Sequence, residues 1–595
     1  MIENTVPKSV APDTDVRTAE AQADAASTRT GATEAQAARP GGDALAVLSI
    51  AAAGFFLVQI LTYGYGRDQG IYAMVARAIL DGRMPYRDAF DFKPPGIFLV
   101  FALARALFGP AQWGIRVVEV AGLAAMAVAM IRLAERWWGD RRIGAVAAGL
   151  AILVHAQLDF WHTAQPESFG GMLTVFALLA VSPRRAGGGA AGPPSPLRLA
   201  VAGALFGAAG LLKPPLAGGG AALAIVLGWP ALRGLQPSPA PAAGSPAGRP
   251  PPRAAALGAA LRPAAFIALG GALPIAICAL WFAAKGALGD LGEVLFVFTP
   301  PYTALGWRGV TVLGLSWYGF AEWLSRYSGP MAMGLGCLLA LHPTPRERQG
   351  VAVLAGIVAV QLAGVVMQAK FFPYHYGATW PATAMMAALG LWKAWDRCVR
   401  RGRLAASVLA LGFALVALAR SATKDVSDSY IERCLARVSV LTRGGRDQAE
   451  LDRLASVADV NAGANREVAA FLRERVEPGA PVFVWGFEPV IYDLADRPPA
   501  TRYLYNVPQR VAWAKEGART DLMRELAERP PAAIVVERND VFPMVTGDAV
   551  DSHTSLEDFA ALSQLLSERY EAVTSIEDFE VFLARGQAAA ASGRP

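Results

Sequence analysis

A chain of 595 residues that is 54% hydrophobic and 17% charged, with a mean hydropathy of +0.34, has the composition of a bilayer protein and not of a soluble globular one. Its net charge of +6 does not mark a nucleic-acid binder, because the Arg and Lys residues fall mostly in short loops between apolar blocks. Cys278, Cys337, Cys398 and Cys434 are widely separated, so neither a metal motif nor a disulfide framework follows from them.

Residues 1–43, rich in Ala, Thr and Asp, contain no apolar core and read as a disordered cytoplasmic tail, not a signal peptide. Apolar blocks then recur at 44–63, 113–134, 143–160, 168–182, 197–212, 215–230, 263–284, 329–342, 350–368, 377–394 and 402–420. Their lengths suit a hydrocarbon core of about 30 Å and predict about eleven spans. Basic loops lie at Arg132/Arg136/Arg141/Arg142, at Arg184/Arg185, at Arg233 with Arg249/Arg253/Arg262, at Arg346/Arg348, and from Lys393 to Arg403. All fall on one side of that count, which makes that side and the N-terminus cytoplasmic. Segments 64–112, 161–167, 213–214, 285–328 and 369–376 then face outward, and 231–262, rich in Pro and Ala, reads as a cytoplasmic linker.

The apolar run from Pro94 to Gly109 is about 24 Å long as a helix, short for a span, and is predicted to be re-entrant or interfacial. Ahead of it Ile71, Met74, Val75, Ala78 and Ile79 recur at i, i+3, i+4, i+7 and i+8. That spacing predicts an amphipathic helix over 69–81 on the outer surface, with Asp68 at or just before its N-terminus. Beyond Arg420 the polarity stays high. Residues 44–420 therefore form a membrane domain, 421–460 a connector, and 461–595 an extracytoplasmic α/β domain. Its predicted helices are 464–476, 517–528 and 555–569, and its strands 481–485, 532–536 and 571–583.

Nearly all the polar residues suited to chemistry lie in the external segments. The richest runs from Tyr65 to Gly96: an acid after the first span, a helix of the form D-x-G-x-Y-x-x-x-A-R, then D-G, a proline loop and K-P-P. It reads Asp68, Gly70, Tyr72, Ala76, Arg77, Asp81, Gly82, Pro85, Lys93, Pro94 and Pro95. This pattern resembles the GT-C-type membrane glycosyltransferases, in particular the branch of aminoarabinose transferases and protein O-mannosyltransferases. Weaker points of resemblance are Arg116, the basic turn Gly139 to Arg142, Glu167 in HTAQPES, the stretch Lys370 to Tyr376, and VWGFEP and TRYLY in the C-terminal domain.

The resemblance implies a single-displacement, inverting transfer of sugar from a polyprenyl-phosphate donor to a hydroxyl of a lipid, polysaccharide or protein, at the outer face of a bacterial inner membrane. It calls for no metal and no cofactor. Asp68 is then the candidate general base and Glu167 the second acid. Lys93, Lys213, Arg308, Lys370 and His375 are candidates to stabilise the leaving phosphate. Arg87, Tyr72, Asp91 and Tyr376 complete the expected substrate contacts.

Plainer roles compete residue by residue. Asp68 suits a helix N-terminus as an anion, Asp88 and Asp91 suit turns, and Lys213 suits an interfacial anchor. Glu167 fits an ordinary loop, His155 and His162 fit packing, and Tyr374, Tyr376 and Trp380 fit an aromatic belt. Two other functions also fit many spans with polar groups at one face: a transporter or flippase of lipid-linked saccharide, and a non-catalytic assembly subunit. The absence of a recognisable internal repeat and of mid-bilayer charges weighs against transport.

Overall fold

The computed structural model describes residues 42–157, 159–183, 192–233, 253–325, 329–401, 430–444, 447–457 and 460–585. Residues 1–41 of the predicted N-terminal tail, most of the 231–262 linker and the block at 402–420 lie outside the described residues.

The membrane domain is helical: α1 (Gly42–Ile60), α2 (Arg67–Leu80), α3 (Gly96–Phe108), α4 (Trp113–Trp138), α5 (Arg141–Gln157), α6 (Pro166–Val181), α7 (Pro196–Leu212), α8 (Gly218–Arg233), α9 (Arg253–Ala284), α10 (Val312–Ser325), α11 (Gly329–Leu341), α12 (Arg348–Gln368) and α13 (Trp380–Arg400). Among the described residues five segments are long and apolar enough to cross a membrane: Gly42–Ile60, Trp113–Trp138, Pro214–Arg233, Arg253–Ala284 and Arg348–Gln368. α3, α6, α7 and α11 are apolar but shorter. Ten of these helices match the first ten predicted blocks, α2 and α3 match the two predicted interfacial helices, and α10 is a further helix within 285–328 that no predicted block covers.

Contacts at the helix ends sort the loops into two groups. Trp392 at the far end of α13 lies against Gly42, and Arg198 at the start of α7 bonds the Ala180 carbonyl at the end of α6. Gly350 near the start of α12 lies against Trp137 and Trp138. The described basic loops therefore gather at one end of the bundle. At the other end Tyr63 bonds the Ala156 carbonyl, Arg87 bonds the Lys285 carbonyl, and Trp307 bonds the Met367 carbonyl. The predicted external segments gather there.

Both ends of α3 belong to that second end. Gly96 abuts Leu211 and Leu212, while Arg105 pairs with Asp493 of the C-terminal domain at 2.8 Å. At 13 residues, about 20 Å, α3 does not traverse the bundle. This is the geometry expected of a re-entrant or interfacial helix.

Glycines set the closest helix contacts. A Cβ on Gly203 would stand 2.1 Å from the Ile267 carbonyl oxygen, and one on Gly270 would stand 1.9 Å from that of Ala200. Gly203 and Gly207 are four residues apart on one face of α7, the small-residue spacing that lets membrane helices touch along their backbones.

The connector carries α14 (Tyr430–Thr442), and the C-terminal domain includes α15 (Ala462–Arg475), α16 (Lys515–Glu528) and the strands β1 (Val482–Trp485), β2 (Ala533–Glu537), β3 (Tyr570–Ile576) and β4 (Phe579–Ala584). The sheet order is β1-β2-β4-β3, with β1 and β2 parallel and the other pairs antiparallel. VFVW and AIVVE are apolar throughout or nearly so because β1 and β2 are buried along their whole length. The predicted single helix at 555–569 is instead a short turn of helix at Ser552–Ser555 followed by a helix at Ala560–Arg569. Asp551 caps the first by accepting from the Thr554 N–H.

Several contacts join the membrane domain to the connector and the C-terminal domain. Arg433 and Arg437 of α14 both bind the buried Asp159, and Arg437 also covers the Tyr63 ring at 4.2 Å. The Phe90 N–H donates to the Arg502 carbonyl at 2.8 Å, stitching the 82–95 loop to the C-terminal domain.

Candidate active site

The site is organised by the N-terminus of α2. Gly66 precedes the helix, and a Cβ there would strike the Phe160 ring at 2.4 Å, so the chain turns where only glycine fits. Gln69 then locks the turn: its Oε1 accepts from the Gly66 N–H at 3.0 Å, and its Nε2 donates to the Phe160 and Thr163 carbonyls at 2.9 Å each. Asp68 is thereby fixed in the first helical turn, where the helix dipole favours a carboxylate.

The helix does not lie on a surface with one face exposed, as its periodicity predicted. Tyr72, Ala73 and Ala76 are buried along with Ile71, Met74 and Val75, because the C-terminal domain covers the other side and packs Val490 on Gly70.

Asp68 faces a narrow cavity of about 90 Å³ with Lys93, Gln165, Tyr302, Tyr374 and Phe542 among its walls. The Lys93 ammonium stands 3.3 Å from Asp68 Oδ1 and within 6 Å of both the Tyr72 and Phe92 rings. Burial alone would lower its pKa, but the Asp68 and Asp91 carboxylates outweigh that and hold it above the ordinary lysine value. Asp91 is itself pushed up by burial, although the Tyr505 hydroxyl donates to it at 2.7 Å.

A second ion pair joins Lys213 at the end of α7 to Glu167 in the first turn of α6. Burial holds Lys213 below the ordinary lysine value despite this partner, and its ammonium also faces the Tyr374 ring at 5.7 Å. Lys370 donates to the Met544 carbonyl at 2.6 Å and lies 4.3 Å from the Tyr302 ring centre. Its pKa is lowered to about 8, by burial first and by the Arg308 charge second. His375, wedged between Phe372 and Tyr374, is driven well below the usual histidine range by burial and then by Lys213, Lys93 and Lys370. Lys213 faces the Tyr374 ring and Lys370 the Tyr302 ring, and both rings line the cavity with Lys93.

Asp68, Lys93, Tyr72, Asp91, Lys213, Lys370 and His375 are therefore brought together. Tyr376 is buried behind them, against Trp380. Arg87 is not among them: it is exposed, paired with Asp88 at 3.0 Å and bonded to the Lys285 carbonyl. Arg308 is exposed and outside the cavity wall, acting on it through Lys370. Glu167, the expected second acid, lies beside this group and outside the wall of the Asp68 cavity. It is buried against Lys213, and Gln165, two residues earlier, lines the Asp68 cavity.

The C-terminal domain supplies part of the site. Phe487, Phe542 and Val545 line the cavity, and Arg67, next to Asp68, is held between Glu488 at 3.1 Å and Glu537 at 3.4 Å while its guanidinium covers Phe542. VWGFEP carries Glu488, so the motif was visible, but its partner lies more than four hundred residues earlier. No cluster of His, Cys, Asp and Glu suited to a metal ion occurs among the described residues.

No family model matches the chain, and no curated protein matches it. Among solved structures it is similar to ArnT from Cupriavidus metallidurans in the apo state, with a TM-score of 0.55 and 17% identity over 92% of this chain and 99% of that one. It is likewise similar to the same protein bound to undecaprenyl phosphate, with a TM-score of 0.54 and 16% identity over 90% and 97% of the two chains. The resemblance expected from Asp68 to Pro95 holds at the level of fold.

Proposed function

We propose that this protein is a membrane glycosyltransferase that moves a sugar from a polyprenyl-phosphate donor to an acceptor hydroxyl at the Asp68 end of the bundle. The observation that carries the reading is one carboxylate, Asp68, beside Lys93 in a cavity whose Tyr374 and Tyr302 walls also face Lys213 and Lys370. ArnT, whose fold this chain shares, has been captured with undecaprenyl phosphate, which supports a lipid phosphate as the donor's anchor.

In this reading Asp68 takes the proton of the acceptor hydroxyl as the acceptor oxygen bonds to the anomeric carbon. The bond from that carbon to the phosphate oxygen breaks on the opposite face, so configuration inverts. The charge left on the phosphate is met by Lys93, Lys213 and Lys370, which gain most where water is excluded. Glu167 holds the Lys213 ammonium in place. Lys93 exchanges part of its pairing with Asp68 for the phosphate when donor binds, releasing the carboxylate to act as a base. Under the positive-inside rule the basic end is cytoplasmic and the site is extracytoplasmic.

The test is transfer of radiolabelled sugar from a polyprenyl-phosphate donor by purified protein in lipid. Asp68→Asn is expected to lower turnover by about a hundredfold or more, the scale of a lost general base, with unchanged expression and thermal stability. Turnover within about twofold of wild type would remove Asp68 from the mechanism.

A further inference from the structure

At the end of the bundle opposite Asp68 a second cavity, of about 1060 Å³, opens between the α4–α5 turn, the segment after α11 and the last turns of α13. The 26 residues of α4, about 39 Å of helix, separate it from the catalytic end, so it takes no part in the proposed transfer.

Its charges do not cancel. Arg142 binds Asp140 at 3.0 Å and Asp43 at 3.5 Å, Lys393 binds Glu347 at 2.8 Å, and Arg400 binds Asp396 at 2.5 Å. Glu135 is taken by Arg132 at 3.3 Å. Arg141, Arg346 and Arg397 also line the cavity, and no carboxylate among the described residues pairs with them. Arg346 reaches the α4–α5 turn closely enough that a Cβ on Gly139 would lie 2.5 Å from its Nη2.

Two indoles belong to the same wall, Trp138 at 8% exposed and Trp392 at 4%, the latter under the Arg142 guanidinium at 5.1 Å. The cations left without a carboxylate are thus three exposed arginines around one opening, which is the complement of a phosphate oxygen cluster. The rest of the wall is apolar at Ile143, Leu341 and Leu389, and Leu339 just before it is 75% exposed on the outside of α11. A phosphate seated here has an apolar surface beside it for acyl chains.

We propose that this cavity binds the phosphate of an anionic phospholipid, bridging the α4–α5 turn and the end of α13. The test uses the full chain in uncharged detergent, titrated with short-chain phosphatidylglycerol, with phosphatidylcholine of equal chain length, and with sodium phosphate. Phosphatidylglycerol is expected to bind about tenfold or more tightly than phosphatidylcholine, as headgroup attraction by several cations requires. The variant Arg141→Gln/Arg346→Gln/Arg397→Gln is expected to abolish that preference, bringing the two lipids to similar affinity.

Equal binding of the two lipids, or an unaltered preference in the variant, overturns the proposal. Displacement of phosphatidylglycerol by an equal concentration of sodium phosphate also overturns it, by assigning the site to a soluble anion. Should the triple variant not fold, wild-type protein still decides the matter. Raising NaCl from about 50 to about 500 mM must weaken phosphatidylglycerol binding severalfold, and salt-independent binding contradicts it.

Discussion

Lys370 shows how a single buried cation ties the site to pH. With its pKa lowered to about 8, the folded protein holds fewer protons at this side chain than the unfolded chain does between about 8 and the ordinary lysine value. The cation is present below that window and lost through it. The KM for lipid-linked donor is therefore expected to rise as pH passes from 7 to 9, while Lys370→Arg, which keeps its charge, flattens the profile. Identical profiles for the two proteins would detach Lys370 from donor binding. Arg67 makes a different kind of prediction. Arg67→Ala leaves the Glu488 and Glu537 carboxylates buried without their guanidinium, a loss on the order of 3–5 kcal/mol where a buried pair is broken from one side. Thermal unfolding is expected to reveal it as a clear drop in Tm, and an unchanged Tm would mean that those carboxylates find other partners.

At the scale of elements, helix contacts made by glycine are the sharpest constraint. α7 and α9 meet where Gly203, Gly207 and Gly270 bring backbone against backbone, and α11 meets α13 where a Cβ on Gly390 would stand 1.9 Å from the Gly334 carbonyl oxygen. Gly270→Val adds a branched side chain where no space exists, and overpacking of this kind costs about 1–3 kcal/mol or more. It is expected to lower folded yield in detergent, measured by size-exclusion chromatography, whereas Gly258→Val, at an open position on the same helix, should not. The elements themselves were mostly visible in the sequence. Block length located ten helices, the 13-residue α3 was too short to traverse, and the buried strands announced themselves as VFVW and AIVVE. The periodicity of 69–81 correctly gave a helix and wrongly left one side exposed, because a hydrophobic stripe records one neighbour and this helix has two.

For the whole molecule, what the sequence could not reveal is how far the C-terminal domain enters the site. Local patterns report partners a few residues away, whereas Arg67 meets Glu537 across 470 positions and Asp91 meets Tyr505 across 414. The motif around Asp68 marked where the chemistry belongs and found Lys93, but not Gln165 or Phe542 in the wall, and it did not separate Glu167 from the cavity. The assembled molecule thus has an Asp68 end built jointly by the loops around α2 and α3 and by the C-terminal domain, and an oppositely placed basic end. The most direct measurement of this account is the position of a bound polyprenyl phosphate, determined by cryo-electron microscopy of the protein in a lipid nanodisc. The account places the phosphate among Lys93, Lys213 and Lys370, with the carbon it releases turned toward Asp68. A phosphate found at any other site, with these lysines still paired to protein groups, would contradict it.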